Sequence, residues 1–354
     1  MTSIELDGPE NAPRQIDYNY PNIEVSWAGE DDRKSGFCFA LEDSRLLFQP
    51  LNKEVPPTIS EPLRDFDGGI NGVAFLDQII GVSTPGEVVF ALGNGETAIY
   101  NGGAHGIIST RSGKFVAPLG PGGLLIFNPV PGESQHFKVL APKVRAFNHY
   151  KVASLGQNDQ GEIFVCALQK GGWATFVLGE SLCKFSPYSH SGLDVVDVCS
   201  IASKEFPFAA IAVGIDRSLH LIKDVTAPQN GSTLSIGGLV GRAYNVLESK
   251  GNVILFTSES IVIFNGLARR FLDGHSAQGK TECWEIKIQA VDVSICYDRW
   301  LLVVRADGGV SALDLDDLLD LNRPSSTSPV ASSAASEWST TPVDLCIATV
   351  PCFS

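Results

Sequence analysis

One pattern returns seven times along the 354 residues: an apolar strand, a tight turn rich in Gly, Pro, Asp, Asn or Ser, and a second apolar strand. The seven copies span residues 36–50, 78–92, 115–129, 152–168, 209–224, 252–266 and 299–314. Their turns follow one another at an average interval of about 44 residues, which is the length of a repeating unit of four short strands. A chain of this length usually divides into two domains unless it repeats. The regular interval therefore favours one repeat domain.

Weaker strand candidates flank these hairpins, so each unit is predicted to contain strands A to D in chain order, with the hairpin as B and C. The segments predicted as strand A are 23–27, 70–76, 106–110, 144–148, 195–200, 243–247 and 291–296. The segments predicted as strand D are 96–100, 136–140, 174–178, 233–236 and 283–288. Sheets of this kind bury their apolar faces when they stack in a ring. The sequence predicts an all-β fold, a seven-bladed β-propeller of four-stranded antiparallel blades.

The seventh unit has no adjacent candidate for strand D, because the acidic segment 314–320 runs into a Ser-rich stretch. Residues 4–6 could supply this strand and join the two ends of the chain, and residues 342–350 are the alternative. We favour the N-terminal segment. The predicted organisation is one propeller over residues 1–322, a Ser-rich linker over 323–341, and a C-terminal strand or docking tail over 342–354.

Charge and composition limit the classes of binding partner and the cellular compartments that we expect for this chain. The chain has 40 acidic against 26 basic residues and a net charge of −14, which opposes broad contact with nucleic acid or an anionic membrane. No apolar run reaches the roughly 18 residues that a membrane span needs, and the N-terminal residues do not have the pattern of a signal peptide. The eight cysteines contain no Cys-x-x-Cys pair. We expect a cytoplasmic protein with reduced thiols, and the sequence also allows a nuclear location.

Catalytic and metal-binding motifs are missing from the sequence. It contains no Gly-x-Ser-x-Gly elbow and no phosphate-binding Gly-rich loop, and its six histidines do not have metal-ligand spacing. The acidic run 314–320 lacks the Gly and the final Glu of a calcium loop. We therefore predict no catalytic residue, no cofactor and no metal site.

Residues 195–224 (VVDVCSIASKEFPFAAIAVGIDRSLHLIKD) resemble strands A, B and C of a WD-repeat blade or of a blade of the regulator-of-chromosome-condensation type. Gly103-Ala-His105 and Asp273-Gly-His275 are similar to the Gly-His that opens a WD repeat. No Trp-Asp dipeptide closes any unit, so the chain looks like a degenerate member of the propeller superfamily. The resemblance implies a rigid recognition surface, and it assigns no catalytic residue.

Every turn between strands B and C of a propeller emerges on the same face of the disc. The residues of these predicted turns that we assign to a candidate interaction face are Asp43, Glu87, Asp159, Asp216, Arg217, Glu259 and Asp307. Six of the seven are acidic, which favours a basic peptide or a basic surface of a protein partner. Turns also use Asp for local hydrogen bonds, and this second explanation stays open.

Two functions are compatible with the sequence. The first is a non-enzymatic protein-interaction scaffold or sensor module that uses one face of the propeller. The alternative is a propeller hydrolase or lyase, whose acids and histidines converge on the central channel from different blades. The fold alone does not separate the two. A cluster of titratable side chains at the channel mouth would favour the enzyme, and exposed aromatic side chains there would favour binding.

Overall fold

The computed structural model describes residues 4–5, 15–18, 25–31, 36–41, 43–52, 54–63, 69–92, 96–129, 136–140, 148–179, 183–186, 194–226, 232–236, 241–274, 283–320, 338–339 and 345–348. In this part of the chain the strands form seven antiparallel sheets. The predicted seven-bladed β-propeller is confirmed. None of the helices in these segments is long and apolar enough to cross a membrane.

The N-terminal half contributes two short strands and four blades. The chain starts with β1 (Ile4–Glu5) and β2 (Gln15–Tyr18). The first blade contains β3 (Val25–Asp31), β4 (Gly36–Leu41), β5 (Leu46–Pro50) and β6 (Thr58–Ile59). The second contains β7 (Gly72–Leu76), β8 (Ile79–Ser83), β9 (Val88–Ala91) and β10 (Thr97–Tyr100). The third contains β11 (Ile108–Ser109), β12 (Phe115–Pro118), β13 (Leu124–Asn128) and β14 (His136–Leu140). The fourth contains β15 (Asn148–Asn158), β16 (Gly161–Gln169), β17 (Gly172–Leu178) and β18 (Cys183–Ser186).

The C-terminal half contributes three blades. The fifth contains β19 (Val195–Ser200), β20 (Ala210–Gly214), β21 (Ser218–Ile222) and β22 (Ser232–Ile236). The sixth contains β23 (Ala243–Ser249), β24 (Asn252–Thr257), β25 (Ser260–Phe264), helix α1 (Leu267–Leu272) and β26 (Cys283–Lys287). The seventh contains β27 (Ala290–Cys296), β28 (Trp300–Arg305) and β29 (Val310–Asp314), and helix α2 (Leu315–Asp320) follows. Two short strands come last, β30 (Trp338–Ser339) and β31 (Leu345–Ala348).

Burial differs between the strands of one blade. Strands B and C are buried along their length, as in β4, β24 and β25, because neighbouring blades cover both of their faces. This explains why their sequences are apolar almost without interruption. The side chains of strand A differ in burial instead, as the mixture of buried, half-buried and exposed residues in β27 shows. Strands A of the blades border a central cavity, so one side of each of them meets the channel.

The N-terminal segment closes the seventh blade, but through a different strand from the one predicted. Strand β2 pairs with β29, with Gln15 opposite Leu313 and Tyr18 opposite Val310. Residues 4–6 were predicted for this role. Ile4 and Glu5 pair with the outer side of β2 instead. The reason is the connection to the first blade, because a strand ending at Tyr18 is only a short loop away from β3.

The C-terminal alternative does not complete the seventh blade. Strand β31 pairs with β22 on the outer edge of the fifth blade, and β30 pairs with β26 on the outer edge of the sixth. Most of the predicted linker 323–341 and much of the predicted tail 342–354 lie outside the described residues. The domain boundaries at 322 and 341 therefore stay a prediction.

The fourth blade corrects the strand assignment. The hairpin predicted there as strands B and C, residues 152–168, is formed by strands A and B, namely β15 and β16. Residues 174–178, predicted as strand D, belong to strand C, and the true strand D is β18. The error has a physical cause. Strand β15 is 11 residues long and carries Val152, Ala153 and Leu155 shortly before a turn segment, so the pattern could not show that it is the first strand.

Seven apolar clusters form the core, one between each pair of neighbouring blades in the described chain. The cluster between the seventh and first blades closes the ring. There Phe37 and Phe39 pack on Leu302 of β28, and the hydroxyl of Tyr297 donates a hydrogen bond to the carbonyl oxygen of Gly36 at 2.8 Å. Burying one Phe side chain stabilises a fold by about 1.5–3 kcal/mol. The closure is therefore a packed interface of the same kind as the other six.

A buried carboxylate fastens the third blade to the fourth. Glu162 is 3% exposed, and its carboxylate accepts hydrogen bonds from the backbone N–H groups of Arg111 and Ser112, both at 3.3 Å. It also accepts from the hydroxyls of Ser112 at 3.0 Å and Ser154 at 2.6 Å. Buried charge is tolerated only with such partners. The contact also places the turn before Glu162 on the same face as the turn between strands A and B of the third blade.

Candidate functional site

Six of the seven residues predicted for the interaction face lie where the prediction placed them. Asp43, Glu87, Asp216, Arg217, Glu259 and Asp307 are in the turns between strands B and C of blades one, two, five, six and seven. Asp159 is not. It lies between β15 and β16, which is a turn between strands A and B, and these turns emerge on the opposite face. The equivalent turn of the fourth blade carries Lys170.

Three of these carboxylates serve their own turns. Arg45 donates from Nε to Asp43 at 2.6 Å, and this side-chain hydrogen bond lowers the pKa of Asp43. The Asp307 carboxylate accepts from the backbone N–H of Gly309 at 2.9 Å, which lowers the pKa of Asp307. The Asp216 carboxylate accepts a hydrogen bond at 2.6 Å from the hydroxyl of Ser218, the first residue of β21. These contacts support local turn chemistry as one role of these residues.

A β-bulge recurs near the start of strand A and gives the channel its shape. The pairing register between strands A and B shifts by one residue at this point in the first, fourth, fifth, sixth and seventh blades. A bulge redirects the side chains around it and is common next to binding sites. The same bulge therefore sets equivalent side chains at equivalent heights in successive blades.

Two layers of residues follow from the bulges of blades four to seven. The bulged residues form what we call the mouth: Tyr150, Val196, Tyr244 and Val291. The residues that follow them form what we call the polar ring: Lys151, Asp197, Asn245 and Asp292. All four mouth residues line a cavity of about 420 Å³, together with Lys151, Asn245 and Asp292. A second cavity of about 420 Å³ continues along the channel, and the same three polar side chains line it as well.

The mouth offers apolar and aromatic surface to solvent. Val291 is 55% exposed and Tyr150 is 38% exposed. The imidazole of His105, from the loop between the second and third blades, lies against the Tyr150 ring, with 4.9 Å between the ring centroids. Burial, and after it the charge of Lys151, lowers the pKa of His105. The imidazole is therefore neutral at pH 7 and adds to an aromatic surface rather than to the charge of the mouth.

Asp197 is the buried acid of the polar ring. Its carboxylate accepts a hydrogen bond at 2.8 Å from the backbone N–H of Val246 in the next blade. Burial raises the pKa of Asp197 to about 6, and the nearby positive charge of Lys151 limits the rise. An ionised Asp197 is thus costly for the fold at neutral pH. Titratable groups with such shifts are concentrated at functional sites.

The sixth and seventh blades provide hydrogen-bond acceptors. The carbonyl oxygen of the Asn245 side chain is buried and has no hydrogen-bond partner. The Tyr244 hydroxyl donates to the backbone carbonyl of Ala290 at 2.6 Å. Burial, and after it the charge of Asp292, raises the pKa of Tyr244 well above its usual value, so the hydroxyl keeps its proton. The negative charge of Asp292 raises the pKa of both Tyr244 and Asp197, so the Asp292 carboxylate lies close to these two residues of the site.

Sequence reasoning missed the polar ring, although the chain carries a signal for it. Each ring residue stands between Tyr or Val and a Val, in the segments YKV, VDV, YNV and VDV, and the four recur at intervals of 46 to 48 residues. A polar residue inside an apolar strand, repeated at the blade interval, indicates a shared position facing the channel. Among the described residues, no group of three His, Cys, Asp or Glu side chains could hold a metal ion.

Comparison with known proteins supports the fold and assigns no family. No protein-family model matches the chain, and no curated protein sequence matches it significantly. The structure is similar to that of U3-55K, with a TM-score of 0.63 and 10% identity over 87% of this chain and 100% of that one. It is also similar to a catalytically inactive virginiamycin B lyase from Staphylococcus aureus with quinupristin, with a TM-score of 0.62 and 11% identity over 85% and 99%.

The third similar structure is the WD40 β-propeller domain of Doa1, with a TM-score of 0.58 and 13% identity over 84% of this chain and 95% of that one. The chain therefore has the fold of a β-propeller. The predicted resemblance to the regulator-of-chromosome-condensation type stays a prediction. At such low identity the likeness concerns the fold, since propellers of one architecture have unrelated functions.

Proposed function

We propose that this chain is a non-enzymatic protein-interaction scaffold or sensor module. It holds a protein partner on the face where the turns between strands B and C emerge, with the mouth of the channel at the centre of the contact. The proposal needs no cofactor. We expect it to act in the cytoplasm, and a nuclear location would also be compatible with this role.

The observation that carries the proposal is the composition of the mouth. Exposed Tyr and Val side chains surround a cavity that also presents charged groups, and partly exposed tyrosines are typical anchors of protein interfaces. Two of the mouth residues, Val196 and Tyr244, pack against the apolar cores between the blades, so little conformational entropy of these side chains is lost on binding. A rigid platform of this kind favours binding over a mobile catalytic site.

The charged turn residues form the rim of this face. Asp43, Glu87, Asp216, Glu259 and Asp307 surround the mouth, and a basic peptide or basic partner surface would complement them. Asp159 has no part in this contact, because it lies on the other face. Rim charges act mainly on the association rate, since solvent screens them.

Affinity purification with the full chain as bait, followed by mass spectrometry, would identify the partner. Calorimetric titration would then measure its binding to the double variant Tyr150→Ala, Val291→Ser. We expect the affinity to fall about 30-fold, since removing two central anchors costs about 2 kcal/mol. Val139→Ser is the matched control, because Val139 is 42% exposed on the outer strand of the third blade. Unchanged affinity of a folded double variant would refute the proposal.

A specific observation supports a second candidate, a hydrolase or lyase with its site in the channel. Lys151 and Asp292 line the channel from two blades, and the charges of both act on the buried Asp197, whose pKa is raised to about 6, near neutrality as for general acids and bases. An enzyme would lose turnover on its substrate in Asp197→Asn while still binding that substrate. A scaffold would have no turnover to lose.

A further inference from the structure

We propose that the side of the polar ring formed by the sixth and seventh blades binds the cationic end of a lysine or arginine side chain from the partner. The site is the corner formed by Tyr244, Asn245 and Asp292. This inference rests on the proposed function and names the group that enters the channel.

The first argument is the unsatisfied oxygen of Asn245. A buried amide oxygen without a donor costs about 1–3 kcal/mol, so such atoms are rare in folded proteins and require an explanation. Asn245 lines both cavities, so its side-chain amide is within reach of a ligand that enters them. A donor group on a ligand would then supply the missing hydrogen bond.

The second argument is the distribution of charge around the ring. The positive charge of Lys151 in the fourth blade lowers the pKa of Asp197 in the neighbouring fifth blade and so favours the ionised carboxylate. Asp292 lies on the other side of the ring, in the seventh blade, and its negative charge bears on Tyr244. Asp292 lines both cavities beside Asn245, and its negative charge also raises the pKa of Asp197. The opposite side presents a carboxylate, an amide oxygen and a phenol oxygen, all of which accept hydrogen bonds.

The third argument is shape. The outer cavity of about 420 Å³ is within the range of small-ligand pockets, and it continues into the inner cavity. Lysine and arginine have long apolar stems that can pack on the Val291 and Tyr244 side chains while the charged end lies deeper. The Tyr244 ring adds an attractive face for a cation.

The experiment uses the purified full chain and small probes. Binding of Nα-acetyl-arginine amide and Nα-acetyl-lysine amide would be measured by NMR titration against the neutral Nα-acetyl-glutamine amide and the anionic Nα-acetyl-glutamate amide. We expect at least one cationic probe to bind 10-fold or more tightly than the glutamine probe. Asp292→Asn should remove this preference, and Asn245→Leu should weaken it. Asp194→Asn is the matched control, since Asp194 lines the outer cavity only, and it should change affinity less than twofold.

Three results would overturn the inference. The first is a preference for the glutamate probe that depends on Lys151. The second is cationic binding that survives Asp292→Asn. The third is full affinity for the partner in the Asp292→Asn and Asn245→Leu variants, together with lost affinity in the double variant Tyr150→Ala, Val291→Ser. This third result would refute the cationic site but would leave the proposed scaffold function in place. Partner binding that resists the mouth variant would instead refute that function, whatever the probes do. A thermal melt of each variant shows that it is folded.

Discussion

Replacing Asp197 by Asn should make the protein more stable at neutral pH. Asn is nearly isosteric and its side-chain oxygen can still accept the hydrogen bond from Val246. It removes the charge whose burial raises the pKa of the carboxyl from 3.8 to about 6. Because the folded state holds the proton more tightly than the unfolded state, ionisation of Asp197 destabilises the fold. The variant has no such penalty.

The magnitude depends on pH. The pKa difference corresponds to a penalty of about 3 kcal/mol when the carboxyl is fully ionised in both states, above pH 6. The penalty is absent below the unfolded pKa of 3.8, where both states are protonated. We therefore expect Asp197→Asn to be about 3 kcal/mol more stable than the natural chain at pH 8, and about 1.5 kcal/mol more stable at pH 5.

Urea denaturation at pH 8 and pH 5 would measure both values. Asp159→Asn is the matched control, because Asp159 is exposed in a turn and such substitutions stay within about 0.5 kcal/mol. Equal stability of the Asp197→Asn variant and the natural chain at pH 8 would refute the reasoning. So would a gain that is as large at pH 5 as at pH 8, since that gain could not come from ionisation.

Three further predictions concern the interfaces of the ring. Glu162→Ala should lower the free energy of unfolding by about 3 kcal/mol in urea, because it leaves buried donors unpaired, and a loss below about 1 kcal/mol would contradict the clamp. Phe39→Ala should lower the free energy of unfolding by about 3–5 kcal/mol, because it opens a cavity at the interface between the seventh and first blades. A much smaller loss in urea denaturation would mean that this interface is loosely packed. Deleting residues 1–24 should lower Tm more than deleting residues 321–354, because β2 completes the seventh blade whereas β31 adds to a blade that already has four strands; the reverse order in a thermal melt would contradict this topology.

The architecture could be predicted from the sequence because its cause is local and repeated. Strands B and C are covered on both faces, so each hairpin is apolar along its length and recurs at the blade interval. The fourth blade shows the limit. Strand β15 carries Val152, Ala153 and Leu155 near its end, and the segment Asn158-Asp-Gln-Gly161 that follows is as good a turn as the Lys170–Gly171 turn. The strands of this blade could be assigned only from the strands with which they pair in the structure.

The candidate site depended on information that strand patterns do not contain. A bulge is a mismatch between two strands, so its position becomes visible only when the partner strand is in place. The sequence showed polar residues such as Asn245 and Asp292 inside strands A, but not that one shift turns them towards a shared channel. The turn carboxylates were easier to find. They were also easier to explain locally, since Asp43 and Asp307 bond within their own turns.

The polar ring connects stability with function in a way that one variant can separate. If Asp197 served only to fasten the fifth blade to the sixth, a neutral acceptor would do so better, because the hydrogen bond to Val246 does not require a charge. An ionised carboxylate is useful there only if its charge attracts Lys151 away from the carboxylate of Asp292. Asp197→Asn should then be more stable but bind cationic probes more weakly, because the released Lys151 charge competes for Asp292. A variant that gained stability and kept full probe affinity would show that Asp197 does not arrange the charges of the ring.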